Sequence, residues 1–180
     1  MRSEMLERRR GYARSLTPEL RGRLEAQLAA IVLPRLAAAR IVAAYHPLKD
    51  EISPYPILER LGPGQRAVLP WFLDRDARML FREAPAIEPS PWGVLQPGAE
   101  ADALAPDLVL VPLVAADRHG ARIGHGKGHY DRVLADLKRR GALLVGVGWA
   151  AQMINRVIEA DPWDVPLDGF ASPEGVTMWR

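Results

Sequence analysis

The sequence predicts an α/β fold with a mainly parallel sheet. Three observations carry the prediction. Leu108 to Val111 is an unbroken apolar run that stops at Pro112, the pattern of a strand covered on both faces. Ala142 to Val147 repeats it. Between the two, Tyr130, Val133, Leu134 and Leu137 recur at helical spacing, which predicts an amphipathic helix. Buried strands alternating with helices favour parallel neighbours, because a crossover must return the chain before the next strand begins.

The remaining elements follow in order. Residues 3–15 read as a basic helix. Thr17-Pro18-Glu19-Leu20 supplies an N-cap and a proline at the first helical position, and Leu20, Leu24, Leu28 and Ile31 form the buried stripe of a second helix that Pro34 kinks or ends. Arg40 to Tyr45 is the first core strand, followed by a loop from His46 to Glu51. Pro54 and Pro56 open a short helix reaching about Leu61. Gln65 to Leu69 is a second strand, ended by Pro70, and Arg78 to Phe81 a third. Residues 84–106 are rich in Pro, Ala and Gly, lack periodicity and read as a long surface excursion. A short strand near Phe170 and Val176 ends the chain.

A chain of 180 residues that is 48% hydrophobic and 26% charged supports one domain with a full core. That domain is expected to span 1–180, with the helices of 1–38 packed on it. The net charge is only +2, low for a dedicated nucleic-acid binder, although arginines crowd the first 23 residues. The absence of cysteine excludes disulfides and thiolate sites. No apolar run approaches membrane-spanning length, and the N-terminus lacks an apolar signal core. The expectation is a cytoplasmic monomer acting on a small molecule, with neither nucleic acid nor membrane as partner.

The chemistry concentrates in Arg122-Ile-Gly-His-Gly-Lys-Gly-His-Tyr-Asp-Arg132. Gly124, Gly126 and Gly128, set between a buried strand and a helix start, let backbone N–H groups approach an anion where the helix dipole favours one. Arg122 and Lys127 add full charges, and Asp131 in the first turn could hold a cation. The combination suggests a nucleoside triphosphate with magnesium. Neither G-x-x-x-x-G-K-[ST] nor G-x-G-x-x-G fits, so a plain turn with solvated basic residues stays open. A metal site on His119, His125 and His129 is conceivable but has no cysteine to support it. No G-x-S-x-G elbow occurs.

From Pro112 to Arg132 the chain resembles the signature of the 5-formyltetrahydrofolate cyclo-ligases, also called methenyltetrahydrofolate synthetases. The resemblance extends from about residue 40 to 178, with departures at Gln96, where the family has Glu, and Ala116, where it has Phe. It implies a three-layer α/β/α domain and ATP-dependent closure of 5-formyltetrahydrofolate to 5,10-methenyltetrahydrofolate. It implies further that Arg122, Gly124, His125, Gly126, Lys127, Gly128, His129 and Tyr130 surround the nucleotide, with Lys127 and Arg122 acting on the transferring phosphoryl group. A basic N-terminal helix contacts ATP in this family; Arg2 matches its Lys, and because Leu6 stands where its Arg falls, Arg10 or Arg14 is expected to substitute. His46, Glu51, Gly126, Lys127 and Tyr130 are implied for the folate, and Asp131 and Asp164 for Mg²⁺. Read alone, Glu51 is better explained as a helix-start carboxylate, while His46 is as well explained as a packed or exposed loop residue and the N-terminal arginines as a solvated face. Two other functions use the same features: an ATP-independent sugar-phosphate isomerase or CoA transferase, and a nucleic-acid-binding module built on the arginine arm.

Overall fold

The computed structural model describes residues 1–126 and 128–179. The chain opens with helices α1 (Arg2–Ser15) and α2 (Pro18–Val32), then strand β1 (Ile41–Ala43), helix α3 (Tyr55–Leu58) and strands β2 (Arg66–Trp71) and β3 (Leu80–Glu83). Next come β4 (Ala86–Pro89), β5 (Leu95–Pro97), β6 (Leu108–Pro112), β7 (Ala115–Asp117) and β8 (Arg122–Ile123). Helix α4 (His129–Arg139) precedes β9 (Leu143–Val147), β10 (Met153–Ile154), β11 (Gly169–Ser172) and β12 (Gly175–Met178).

Among the described residues, seven strands form the main sheet in the order β12-β11-β9-β6-β1-β2-β3. Its interior pairings are parallel, and the antiparallel pairs β2–β3 and β11–β12 lie at the two edges. The continuous apolar run of β6 resolves into two faces. Leu108 and Leu110 pack with Leu28, Ala29 and Val32 of α2. Val109 and Val111 pack with Val133, Leu134 and Leu137 of α4. Burial on both faces is why no polar alternation marks this strand. Gly146 of β9 is required by packing: a Cβ there would meet Leu113 Cδ2 at 2.6 Å and Leu167 Cδ1 at 2.7 Å.

Several boundaries differ from the sequence reading. Pro70 does not end β2; it pairs with Phe81 of β3. The β1–β2 register stops at Ala43 and Val68, so no parallel ladder bond is asked of the proline. Residues 84–106 are not structureless, because β4 and β5 pair as an antiparallel ribbon. The passage from β6 to α4 is also indirect. A hairpin of β7 and β8 intervenes, organised by buried Asp117, whose Oδ1 accepts from the N–H groups of His119 and Ala121 and whose Oδ2 accepts from that of Ile158. Helix α2 starts as expected, with Thr17 Oγ1 accepting the Leu20 N–H at 3.2 Å, and gives way to a 3₁₀ turn at Leu33–Leu36. Among the described residues no helix is long and apolar enough to cross a membrane.

Candidate active site

A cleft of about 550 Å³ opens beyond the carboxyl ends of β1, β2 and β6, where His46, Phe72 and Pro112 line it. That is where ligands of parallel sheets collect. Gly124, Gly126 and Gly128 form another part of its lining. Gly128 is the N-cap of α4 with φ 67° and, having no side chain, does not cap the helix itself. The positive end of a helix dipole favours an anion beside such a start. Gly126 has φ 84°, and a Cβ there would lie 3.0 Å from Arg2 Nη1. Arg2 thus rests directly against the glycine loop.

The residues singled out from the sequence separate into groups. Arg2, His46, Glu51, Arg122, Gly124, His125, Gly126, Gly128, His129, Tyr130, Asp131 and Asp164 all line the cleft, while Lys127 lies outside the described residues. Arg10 and Arg14 are exposed and absent from its lining, with Arg10 paired to Glu7 at 2.7 Å. Arg9 is the arginine that α1 sends inward. Its side chain is 1% exposed. Nε donates to Asp50 Oδ2 at 3.0 Å, and Nη1 donates to Glu51 Oε1 and to the Leu113 carbonyl, both at 3.2 Å. The signal was present in the sequence. Arg2, Met5, Arg9 and Tyr12 share one helical stripe: Met5 is buried, and Tyr12 packs on Trp149 with ring centroids 5.4 Å apart. Positions 10 and 14 lie off that stripe.

Glu51 is a fixed acceptor in the same cleft. Its Oε2 accepts the Leu48 N–H at 2.9 Å, and its Oε1 lies 3.1 Å from His125 Nε2. The loop that carries it has no regular structure and is held by side chains instead. Arg21 of α2 donates to the carbonyls of Lys49 and Glu51, and Trp149 Nε1 donates to that of Asp50 at 3.0 Å. Burial raises the Asp50 carboxyl, but the hydrogen bond and charge of Arg9 outweigh it and hold the group below its ordinary value. Arg122 and Asp131, expected to serve phosphate and cation separately, are ion-paired with each other, and Arg122 Nη1 also donates to the Val165 carbonyl at 2.6 Å. Asp164 closes a turn by accepting the Asp161 N–H at 2.8 Å.

The aromatic wall is built from the ribbon and from β2. Phe72 and Trp92 flank His129, with ring centroids 4.9 Å and 5.3 Å away. Gln96 fixes Phe72 from both sides: Oε1 accepts the Phe72 N–H at 2.9 Å, and Nε2 donates to the Phe72 carbonyl at 3.2 Å. A glutamate at position 96 could make only the first of these bonds. Burial pushes the phenols of Tyr45 and Tyr130 above their ordinary range. Tyr45 donates to the Ile52 carbonyl, whereas the Tyr130 hydroxyl has no hydrogen-bond partner among the described residues. His46, whose Nδ1 lies 2.7 Å from the Tyr55 hydroxyl, is lowered by burial. No group of three metal-ligating side chains occurs among the described residues.

A family model described as the 5-formyltetrahydrofolate cyclo-ligase family matches residues 1–173. The chain belongs to the 5-formyltetrahydrofolate cyclo-ligase family. A cyclo-ligase of Escherichia coli K12 is 27% identical over 177 residues, covering 92% of this chain and 97% of the relative. Another, from Mycolicibacterium smegmatis, is 31% identical over 166 residues and covers 79% of each. The solved structure of the Aquifex aeolicus 5,10-methenyltetrahydrofolate synthetase superposes with a TM-score of 0.81 at 28% identity, covering 99% of this chain and 93% of that one. The mainly parallel sheet with helices on its faces is thus the architecture of a cyclo-ligase.

Proposed function

We propose that the protein closes 5-formyltetrahydrofolate to 5,10-methenyltetrahydrofolate with ATP, releasing ADP and phosphate. The observation that carries this reading is that a glycine-rich helix start and a tightly held carboxylate line one cleft. The helix start with Arg2 against it suits a polyphosphate, and the carboxylate at Glu51 suits a substrate rich in N–H donors. Formyl oxygen is a poor leaving group. Transfer of the terminal phosphoryl group to that oxygen makes it a good one, N10 attacks the formyl carbon, and phosphate departs. No side-chain nucleophile is needed, so the protein's work is positioning and charge stabilisation. The helix start at Gly128, with Arg2 and Lys127, would hold the phosphates. Glu51, His46 and the Tyr130 hydroxyl would hold the folate.

Mg²⁺ fits the donor set. Among the described residues Asp131 and Asp164 each engage one carboxylate oxygen, and the other suits an ion that takes one or two carboxylates together with phosphate and water. Bound there it would offset phosphate charge. A cytoplasmic monomer completes the reading. The test is the absorbance of the methenyl product from purified protein with 5-formyltetrahydrofolate, Mg²⁺ and ATP. Growth that requires ATP and falls about a hundredfold or more in Lys127→Ala supports the assignment. Turnover without ATP would favour an isomerase or transferase instead.

A further inference from the structure

Arg9 has no part in the chemistry above, yet it is among the largest fully buried side chains of the protein. A sealed guanidinium is costly unless its charge is matched and its donors are used, and apolar side chains anchor a helix at lower cost. Helix α1 already has such anchors in Met5 and Tyr12. What an apolar residue cannot do is hold a carboxylate. Glu51 has about four lone-pair sites. The Leu48 N–H takes one on Oε2, while Arg9 Nη1 and His125 Nε2 converge on Oε1. Among the described residues, what remains free is on Oε2.

We propose that Arg9 is a positioning residue that fixes the Glu51 carboxylate so that its free lone pair meets an N–H donor of the bound folate. The inference rests on the proposed function. It gives α1 two tasks along one stripe: Arg2 on the phosphate wall and, two turns later, Arg9 behind the folate wall. A solvent-exposed arginine at position 10 or 14 serves neither.

The test is a double-mutant cycle of Arg9→Lys and Glu51→Gln, with KM for 5-formyltetrahydrofolate, KM for ATP and kcat measured separately. Lysine keeps the charge but cannot bridge two carboxylates and a carbonyl from one planar group. Arg9→Lys should raise the folate KM about tenfold and leave the ATP KM within about twofold. The double variant should be no worse than Glu51→Gln alone, because Arg9 acts only through Glu51. Equal rises in both KM values, or additive effects, would mean that Arg9 merely anchors the helix, and would overturn the inference. If Arg9→Lys fails to fold, Asp50→Asn loosens the same guanidinium from its more exposed side. That variant should raise the folate KM about threefold in the wild-type background and not at all beside Glu51→Gln; an unchanged KM overturns the inference. Wild-type protein that forms no methenyl product with ATP would sink the proposed function and this inference together, whereas active wild type with unaltered Arg9→Lys kinetics sinks this inference alone.

Discussion

The two walls of the cleft are built on opposite principles. The Lys49–Glu51 segment is tied by Arg9 from α1, Arg21 from α2 and Trp149 from beyond β9. The glycine loop at α4 has two glycines with positive φ, one of them the N-cap of the helix. One wall presents a single acceptor in a fixed place. The other brings backbone and a helix dipole to where an anion can sit. A site that must both orient a flexible substrate and receive a highly charged one is served by that division: preorganised where direction matters, open where charge matters.

Substitutions can break each wall on its own terms. The largest effect outside the two tests above is expected from Gly126→Ala. Its φ of 84° and the 3.0 Å approach to Arg2 should cost about 1–2 kcal/mol of loop strain, seen as a roughly tenfold higher KM for ATP with the folate KM little changed. A variant in which the folate KM moves instead would show that the walls are not separable. A smaller effect should follow from Gln96→Glu. The carboxylate loses the donor to the Phe72 carbonyl and faces it at about the same distance. The expected loss is about 1 kcal/mol, or roughly 3 °C in melting temperature for a chain of this size, measured by calorimetry at neutral pH. The smallest effect concerns His46. Burial lowers its folded-state affinity for a proton, so the unfolded chain binds protons more readily. Stability from this group is fully present above the unfolded value of about 6.5 and is lost as pH falls through the lower folded value. Wild-type melting temperature should therefore fall slightly more below pH 6.5 than that of His46→Gln; parallel curves would remove His46 from the account.

What could be read from the sequence was local. The glycine loop, the β6 and β9 runs, the Thr17 cap and the place of Glu51 after β1 all follow from residues near one another in the chain. The rest depended on distance. Arg9 meets its partners 41 to 104 positions away, and spacing cannot announce such pairs. The helical stripe shared by Arg2, Met5, Arg9 and Tyr12 points inward, whereas the family pattern is broken at Leu6. The β7–β8 hairpin was missed because its organiser, Asp117, looks like any turn aspartate until its second oxygen is found on the Ile158 N–H. The mutual pairing of Arg122 and Asp131 was hidden for a related reason. Each has a charge suited to a ligand, and only the geometry reveals that they first satisfy one another.

The reach of Arg9 also bears on how the molecule assembles. Helix α1 is made before the carboxylates and the carbonyl that receive its arginine, which lie 41 to 104 positions further along the chain. Contacts between remote segments form slowly because the intervening chain must be ordered first. Arg9 can therefore take up its contacts only once Asp50, Glu51 and Leu113 are in place, and docking of α1 is what completes this wall of the cleft.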